Sequence, residues 1–524
     1  MLNPIFYCIT YMRRNIFLWL TILTLGVSAS CDDNLTQVNP NGLTASSFWK
    51  TEADAVKSVN AVYATMQNRQ HNLWLLFLAD CRSDEAYSES PWGDLQNVGR
   101  FTFTNYDLPW LREVWQASYQ AIYRANQVIK NVPNISMDET QKKRIVAEAK
   151  AIRAYYYYYL AGLWGNVPLM TQIEVPTFKP DQASEDQVWE QVVKDLTEAK
   201  ADLPVRYENE RDLGRITRGG ATALLGKARM QQRKWQEAAD AFKEIVDQVP
   251  AVYDLMPSFK DNFTTEFENN KESLWEIQYK EDPSRSGFPN YDRAGGDETS
   301  ERAQFFGVRK IGWCDGQPTR FLFNEFLKEQ TVDGKVDPRL NYTIYYYTPG
   351  EKVLYGKTYE EHFGDQFANE KNSIFFKKYT NYWKATDNYF SGINTRVIRL
   401  ADVYLMYAEA LNELGRTAEA IPFANRVRAR SSMKELSVAM GKEDFREQLR
   451  HDRIVELGGE SVRWFDLRRY GILSNALAGN AEGSPGQAPL DTEFKDFRPN
   501  KSELLPIPIY ETGSNVKIQQ NPGW

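Results

Sequence analysis

The chain has 524 residues, 42% of them hydrophobic and 25% charged, an ordinary globular composition with enough apolar material for a sizeable core. Its net charge of -7 argues against nucleic acid, which is bound by clustered cations that displace counterions. The three histidines, His71, His362 and His451, lack metal-ligand spacing and read as surface or capping residues, so neither a metal nor a cofactor is expected.

Met12, Arg13 and Arg14 open a positively charged segment, and Ile16 to Val27 is an apolar run too short for a comfortable permanent span. Ser28, Ala29, Ser30 and Cys31 then form an imperfect lipobox, with Ser28 where leucine is commonest. The reading is a signal peptide over 1–30, with acylation of Cys31; Met12 is an alternative start. Several acyl chains on one cysteine anchor a protein firmly. Asp32 and Asp33 resemble a surface-export signal, and 31–45 reads as lipidated cysteine plus polar tether. Cys81 and Cys314 remain in an oxidising compartment, and their spacing leaves open whether they pair.

Thr51 to Gln67 is amphipathic, with Ala55, Val56, Val59, Val62 and Tyr63 on one face. Leu73 to Ala79 is apolar and leads into CRSDEAYSESPWGD, an aperiodic mixture that reads as a loop. Leu108 to Val132 is a second helix. Glu148 to Met170 is a third, ending abruptly at Gly165 with Pro168 beyond it. The consecutive Tyr155 to Tyr159 make this helix bulky all round, and such a helix is buried, each hydroxyl seeking a partner.

Gln187 to Leu203 is helical up to Pro204, and Thr217 to Val249 is a helical hairpin. Gly226, Ala238 and Phe242 have tetratricopeptide spacing, and Ala408, Ala420 and Ala424 repeat it around a turn at Gly415. The predicted fold is therefore mainly α: tetratricopeptide-like pairs form a scaffold, and a loop-rich, partly β insertion carries the ligand face. That insertion spans 274–394, between helical regions at 46–273 and 395–524. It holds the strand-like LWEIQY and TIYYY and a long irregular loop, and loops of that length are usually functional. Asp337, Pro338 and Arg339 read as an anchoring turn. Glu443 to Tyr470 is a charged helical region in which Asp452, Arg453, Glu456, Glu460, Arg463, Asp466, Arg468 and Arg469 are expected to form an ion-pair lattice. Pro506, Pro508 and Pro522 exclude helix from the tail.

Several of these segments carry one resemblance. Glu148, Ala149, Lys150, Arg153, Ala154, Tyr155 to Tyr157, Leu160, Trp164, Gly165, Val167, Pro168 and Leu169 fill a pattern similar to that of SusD/RagB lipoproteins. Arg399 to Asp402, Asn425, Arg428, Arg453, Glu456, Arg463, Asp466 and the ending Leu504 to Pro508 with Gln520 to Gly523 resemble the same family in the expected order. Gly458 to Ser461 departs from it. The resemblance implies an outer-membrane, outward-facing lipoprotein that caps a SusC-like TonB-dependent transporter, binds nutrient glycans (peptides in some branches), and passes them on without cutting them.

Sugar rings stack on aromatic planes while their hydroxyls need hydrogen-bond partners. The expected platforms are Trp92 and Trp313 with Tyr291 or Phe288 as a third, and the expected polar contacts are Arg82, Asp84 and Asn290. Two rivals stand beside this reading. A glycoside hydrolase would need a carboxylate pair, for which Asp84 with Glu85, or Asp297 with Glu298, are the candidates. A peptide-binding scaffold would use the helical repeats alone.

Overall fold

A computed structural model describes residues 48–103, 107–174, 178–282, 299–384, 390–477, 494 and 496–524. The chain divides into two units, residues 1–50 and residues 51–524. In the described part of the first, Lys50 N donates to Phe48 O at 2.9 Å. The second unit carries the fold, and none of its described helices is long and apolar enough to cross a membrane.

Among the described residues, ten helices of eight residues or more build the scaffold: α1 (Glu52–Tyr63), α2 (Pro109–Asn131), α3 (Glu139–Trp164), α4 (Glu185–Asp202), α5 (Arg218–Gln231), α6 (Trp235–Val246), α7 (Leu400–Glu413), α8 (Thr417–Arg430), α9 (Lys442–Leu457) and α10 (Arg463–Tyr470). From α2 to α7 each packs on the next, and α7 then packs on α8 and α9, so the stacking runs in chain order across the insertion between α6 and α7. The mainly helical, tetratricopeptide-like fold is thus present. In the first repeat, a Cβ on Gly226 would sit 2.4 Å from the Phe242 ring, so only glycine allows α5 and α6 their approach. In the second, Ala408, Ala420 and Ala424 are fully buried and Gly415 turns with φ 78°.

The tyrosine helix α3 is buried through its last turns, and Gly165 ends it at φ 72°. Tyr155 bonds His71 Nε2 at 2.8 Å, Tyr156 donates to Thr65 Oγ1 at 2.9 Å, and Tyr157 accepts from Met170 N at 2.6 Å. Two of the histidines, expected at the surface or as caps, are buried, and His451 is partly buried. His71 is buried between Met66 O and Tyr155, its pKa pushed down to about 4 by burial; His362 is buried against Arg309 O; His451 meets Glu325 at 2.7 Å.

The expected ion lattice is real and internal. Arg153 clamps Asp195 with bonds of 2.8 and 2.6 Å, tying α3 to α4. Lys227 reaches Asp402 at 2.7 Å, and Asp402 accepts from Arg453, which also clamps Asp466. Glu456 is met by Arg339, Arg399 and Arg430. Burial pushes the Glu456 carboxyl up, but these arginines outweigh it and hold it well below the usual range. Arg339 is fixed by Asp337 as well, which gives the anchoring turn its physical content. Glu460, in the segment that departs from the family pattern, binds Arg399 and Lys378.

Eight short strands among the described residues form four antiparallel two-stranded ladders: Ala86–Ser88 (β1) with Gly316–Pro318 (β5), Val167–Pro168 (β2) with Gln182–Ala183 (β3), Ser273–Ile277 (β4) with Thr395–Arg399 (β8), and Ile344–Tyr345 (β6) with Phe375–Phe376 (β7). The segment expected as a wholly irregular loop therefore contributes a strand, β1. The tail also departs from expectation: Pro508 is followed at once by a short helix, Ile509–Ser514. Proline fixes φ without blocking the helix that begins after it.

Candidate functional site

β1 and β5 bring together two stretches far apart in sequence. Tyr87 pairs with Gln317 and Ser88 with Gly316, the first two 230 positions apart. Thr319 N donates to Glu85 O at 3.0 Å and Ser88 Oγ to Asp315 O at 2.8 Å, extending the join at both ends. Trp92 follows β1 and Trp313 precedes β5, so the ladder sets both tryptophans on one side of the fold.

Each of these tryptophans is 42% exposed. Behind them runs an unbroken aromatic path. Trp92 meets buried Trp74 at 5.6 Å between centroids and 73° between planes; Trp74 meets Phe305 at 5.3 Å and 81°; Phe305 meets Trp313 at 4.9 Å and 61°. Trp110 braces Trp74 at 5.7 Å. Edge-to-face contacts of this kind hold rings in fixed orientations. The loop bearing Trp313 is equally fixed: its N–H donates to Gln304 O at 2.6 Å, and a Cβ on Gly312 would lie 2.6 Å from that same carbonyl.

A polar cluster flanks the rings. Arg309 reaches Glu89 at 2.7 Å and Glu370 at 2.9 Å. Gln317 donates to Glu89 at 3.1 Å, and the Tyr87 hydroxyl donates to Glu89 at 3.3 Å. Arg309 and Glu89 remain partly open to solvent, so this edge offers planar donors and acceptors beside an aromatic surface. Asp315 lies buried nearby. Burial pushes its carboxyl up to about 6, offset in part by a hydrogen bond from Ser90.

Two expected polar contacts are elsewhere. Arg82 is fully buried, its guanidinium 4.1 Å over Trp464, donating to Ser502 O at 2.8 Å. Burial pushes its pKa down to about 9. Asp84 is buried in a two-bond clamp from Arg463, both bonds 2.7 Å. Neither side chain faces the solvent beside the tryptophans; both serve the interior. Glu85 is buried too, its carboxyl pushed well up by burial, so Asp84 and Glu85 do not flank a cleft as a hydrolytic pair would. Cys81 and Cys314 are both buried free thiols, and Gln317 Nε2 lies 2.9 Å from Cys314 Sγ.

Phe288, Asn290, Tyr291, Asp297, Glu298 and Cys31 lie outside the described residues. At the base of that loop, Asp282 N donates to Thr299 Oγ1 at 2.9 Å, and Asn72, two residues before Trp74, donates to Thr299 O at 3.4 Å. Sequence reasoning missed Trp74 and Phe305, which back the platform, and Glu89, Arg309, Gln317 and Glu370, which flank it. Glu89 and Arg309 sit in segments whose irregularity was noted; the pairing that unites them has no local signal.

The model for the family described as "SusD family" matches residues 271–524, and the one described as "Starch-binding associating with outer membrane" matches residues 46–230. SusD-like protein P2 of Formosa agariphila is 27% identical, with 96% of this chain and 98% of that protein covered. The crystal structure of a SusD superfamily protein from Bacteroides vulgatus superposes with TM-score 0.78 at 27% identity, covering 91% of this chain and all of that one. A laminarin-binding SusD-like protein gives TM-score 0.72 at 28% identity, covering 91% of this chain and all of that one. With these matches spread over both helical regions and the insertion between them, the chain belongs to the SusD/RagB family.

Proposed function

We propose that this protein is a cell-surface lipoprotein that captures a nutrient oligo- or polysaccharide on the Trp92–Trp313 face and delivers it to a SusC-like TonB-dependent outer-membrane transporter. The carrying observation is the pair of half-exposed tryptophans, held by buried Trp74 and Phe305 and flanked by Arg309 and Glu89. Rigid aromatic planes take the apolar faces of sugar rings, and the flanking cluster orients hydroxyls. The similarity to a laminarin-binding protein and the family description that mentions the outer membrane support this reading. Tyr291 or Phe288 supplies a third plane and Asn290 a further polar contact. Acyl chains on Cys31 hold the protein at the outer membrane, facing outward, and the glycan is bound without being cut.

The test is titration of soluble protein beginning at Asp32 against a glycan panel that includes laminarin, followed by calorimetry and tryptophan fluorescence. Binding to one glycan class, lost in Trp92→Ala and in Trp313→Ala, is the expected result. A folded protein that binds no glycan would overturn the carbohydrate reading in favour of a peptide cargo. Release of reducing ends from a bound polysaccharide would instead make it a hydrolase. Loss of acyl labelling and of co-purification with the transporter in Cys31→Ala tests the anchor.

A further inference from the structure

A cleft of about 390 Å³ opens at the far ends of the helical pairs, within the size range of small-ligand sites. Arg233 enters it from the turn between α5 and α6, Trp235 from the start of α6, Glu409 and Glu413 from the last turns of α7, and Arg450 and Tyr470 from α9 and α10. It shares no residue with the Trp92–Trp313 face.

The acceptors in this cleft are already used. Both oxygens of Glu409 are taken by Arg469, at 2.7 and 2.8 Å, and both of Glu413 by Arg446, at 2.7 and 2.9 Å. Asn412 donates to Lys442 O and its oxygen accepts from Thr417. The groups with unused hydrogen-bonding capacity are two arginines and a tyrosine. Arg233 spends Nε on Arg469 O at 3.1 Å, and its two terminal nitrogens meet no carboxylate among the described residues. Arg450 pairs through one terminal nitrogen with exposed Glu447, while its Nε is buried without a partner. The Tyr470 hydroxyl is likewise buried and unpartnered, and the guanidiniums of Arg450 and Arg469 lie over the Tyr470 ring, 4.7 and 4.8 Å from its centroid. Four guanidiniums line the cleft against two carboxylates, in a protein whose net charge is -7.

The buried unused donors, Arg450 Nε and the Tyr470 hydroxyl, are costly, Arg233 is exposed beside them, and an anion satisfies several such groups at once. We propose that this cleft is a second binding site, which takes a carboxylate on a small body with a flat apolar face: the carboxylate meets Arg233, Arg450 and Tyr470, and the body lies on Trp235. A sugar acid and an acidic side chain of a peptide share that chemistry.

Calorimetry and saturation-transfer NMR on the soluble protein, with glucuronate, glucose, N-acetylaspartate and inorganic phosphate as separate probes, test it. Binding of glucuronate or of N-acetylaspartate, with glucose silent, is expected, and which of the two binds identifies the source. Arg233→Asn suits the left-handed backbone at φ 56°, and Arg450→Met suits a helix. Each should weaken binding about tenfold, the loss of one charge-assisted hydrogen bond, with the melting temperature measured as a control. Trp92→Ala should leave it unchanged. The proposal is overturned if neither carboxylate binds more tightly than about 1 mM, if phosphate binds as tightly as they do, or if binding survives both substitutions.

Discussion

The tyrosine helix and the tryptophan face use the same kind of side chain to opposite ends. In α3 the consecutive tyrosines are buried, and those at 155, 156 and 157 have hydroxyl partners inside the protein. Around Trp92 and Trp313 the ring edges are held just as firmly, by Trp74 and Phe305, but each outer ring keeps 42% of its surface exposed. An aromatic surplus therefore identifies nothing by itself. What separates scaffold from candidate site is how much of the last ring in a packed series stays exposed.

That contrast can be broken at the scaffold first. Glu456→Ala removes the buried carboxylate shared by Arg339, Arg399 and Arg430, leaving Asp337, Glu272 and Glu460 to balance three buried cations, and denaturant unfolding should show a loss of about 3–5 kcal/mol. Gly226→Leu drives a side chain into Phe242, and thermal melts should show about 1–3 kcal/mol of destabilisation, with the Trp92–Trp313 face intact. Asp315 sharpens the contrast through pH. Its folded pKa, near 6, lies above the value of about 4 in an unfolded chain, so the folded state binds the extra proton. Its contribution to stability is fullest below about pH 4 and declines as pH rises to about 6, by about 2 kcal/mol. Asp315→Asn should remove that part of the slope in pH-dependent melts. Trp92→Ala and Trp313→Ala should each weaken glycan binding about tenfold while costing less than about 1 kcal/mol in stability. The smallest effect belongs to the exposed Lys243–Asp247 pair, where Lys243→Ala should change the unfolding midpoint hardly at all.

The helical part of this division was legible in the sequence because its causes are local. Gly165 marks the end of α3, the five tyrosines announce burial, and Gly226 with Phe242 gives the pairing of α5 and α6. Trp92 and Trp313 were also picked out, from residue type and irregular surroundings. Arg82 and Asp84 were misread for the same reason. They stand in an irregular, polar stretch that looks solvated, but their partners Trp464 and Arg463 lie in α10, Arg463 being 379 positions away from Asp84. His71 was misread likewise, since its partner Tyr155 comes 84 positions later. Periodicity reports which face of an element is apolar; it does not report which distant charge will come to neutralise a buried one.

The ladder between β1 and β5 has a thermodynamic consequence. It is short, three residue pairs, yet it joins stretches 230 positions apart. A ligand lying across Trp92 and Trp313 would act as a removable cross-link between them, adding to the unfolding free energy in proportion to the logarithm of its free concentration above Kd. Cargo and fold would then be coupled quantities: the loaded protein outlasts the empty one against heat and proteases.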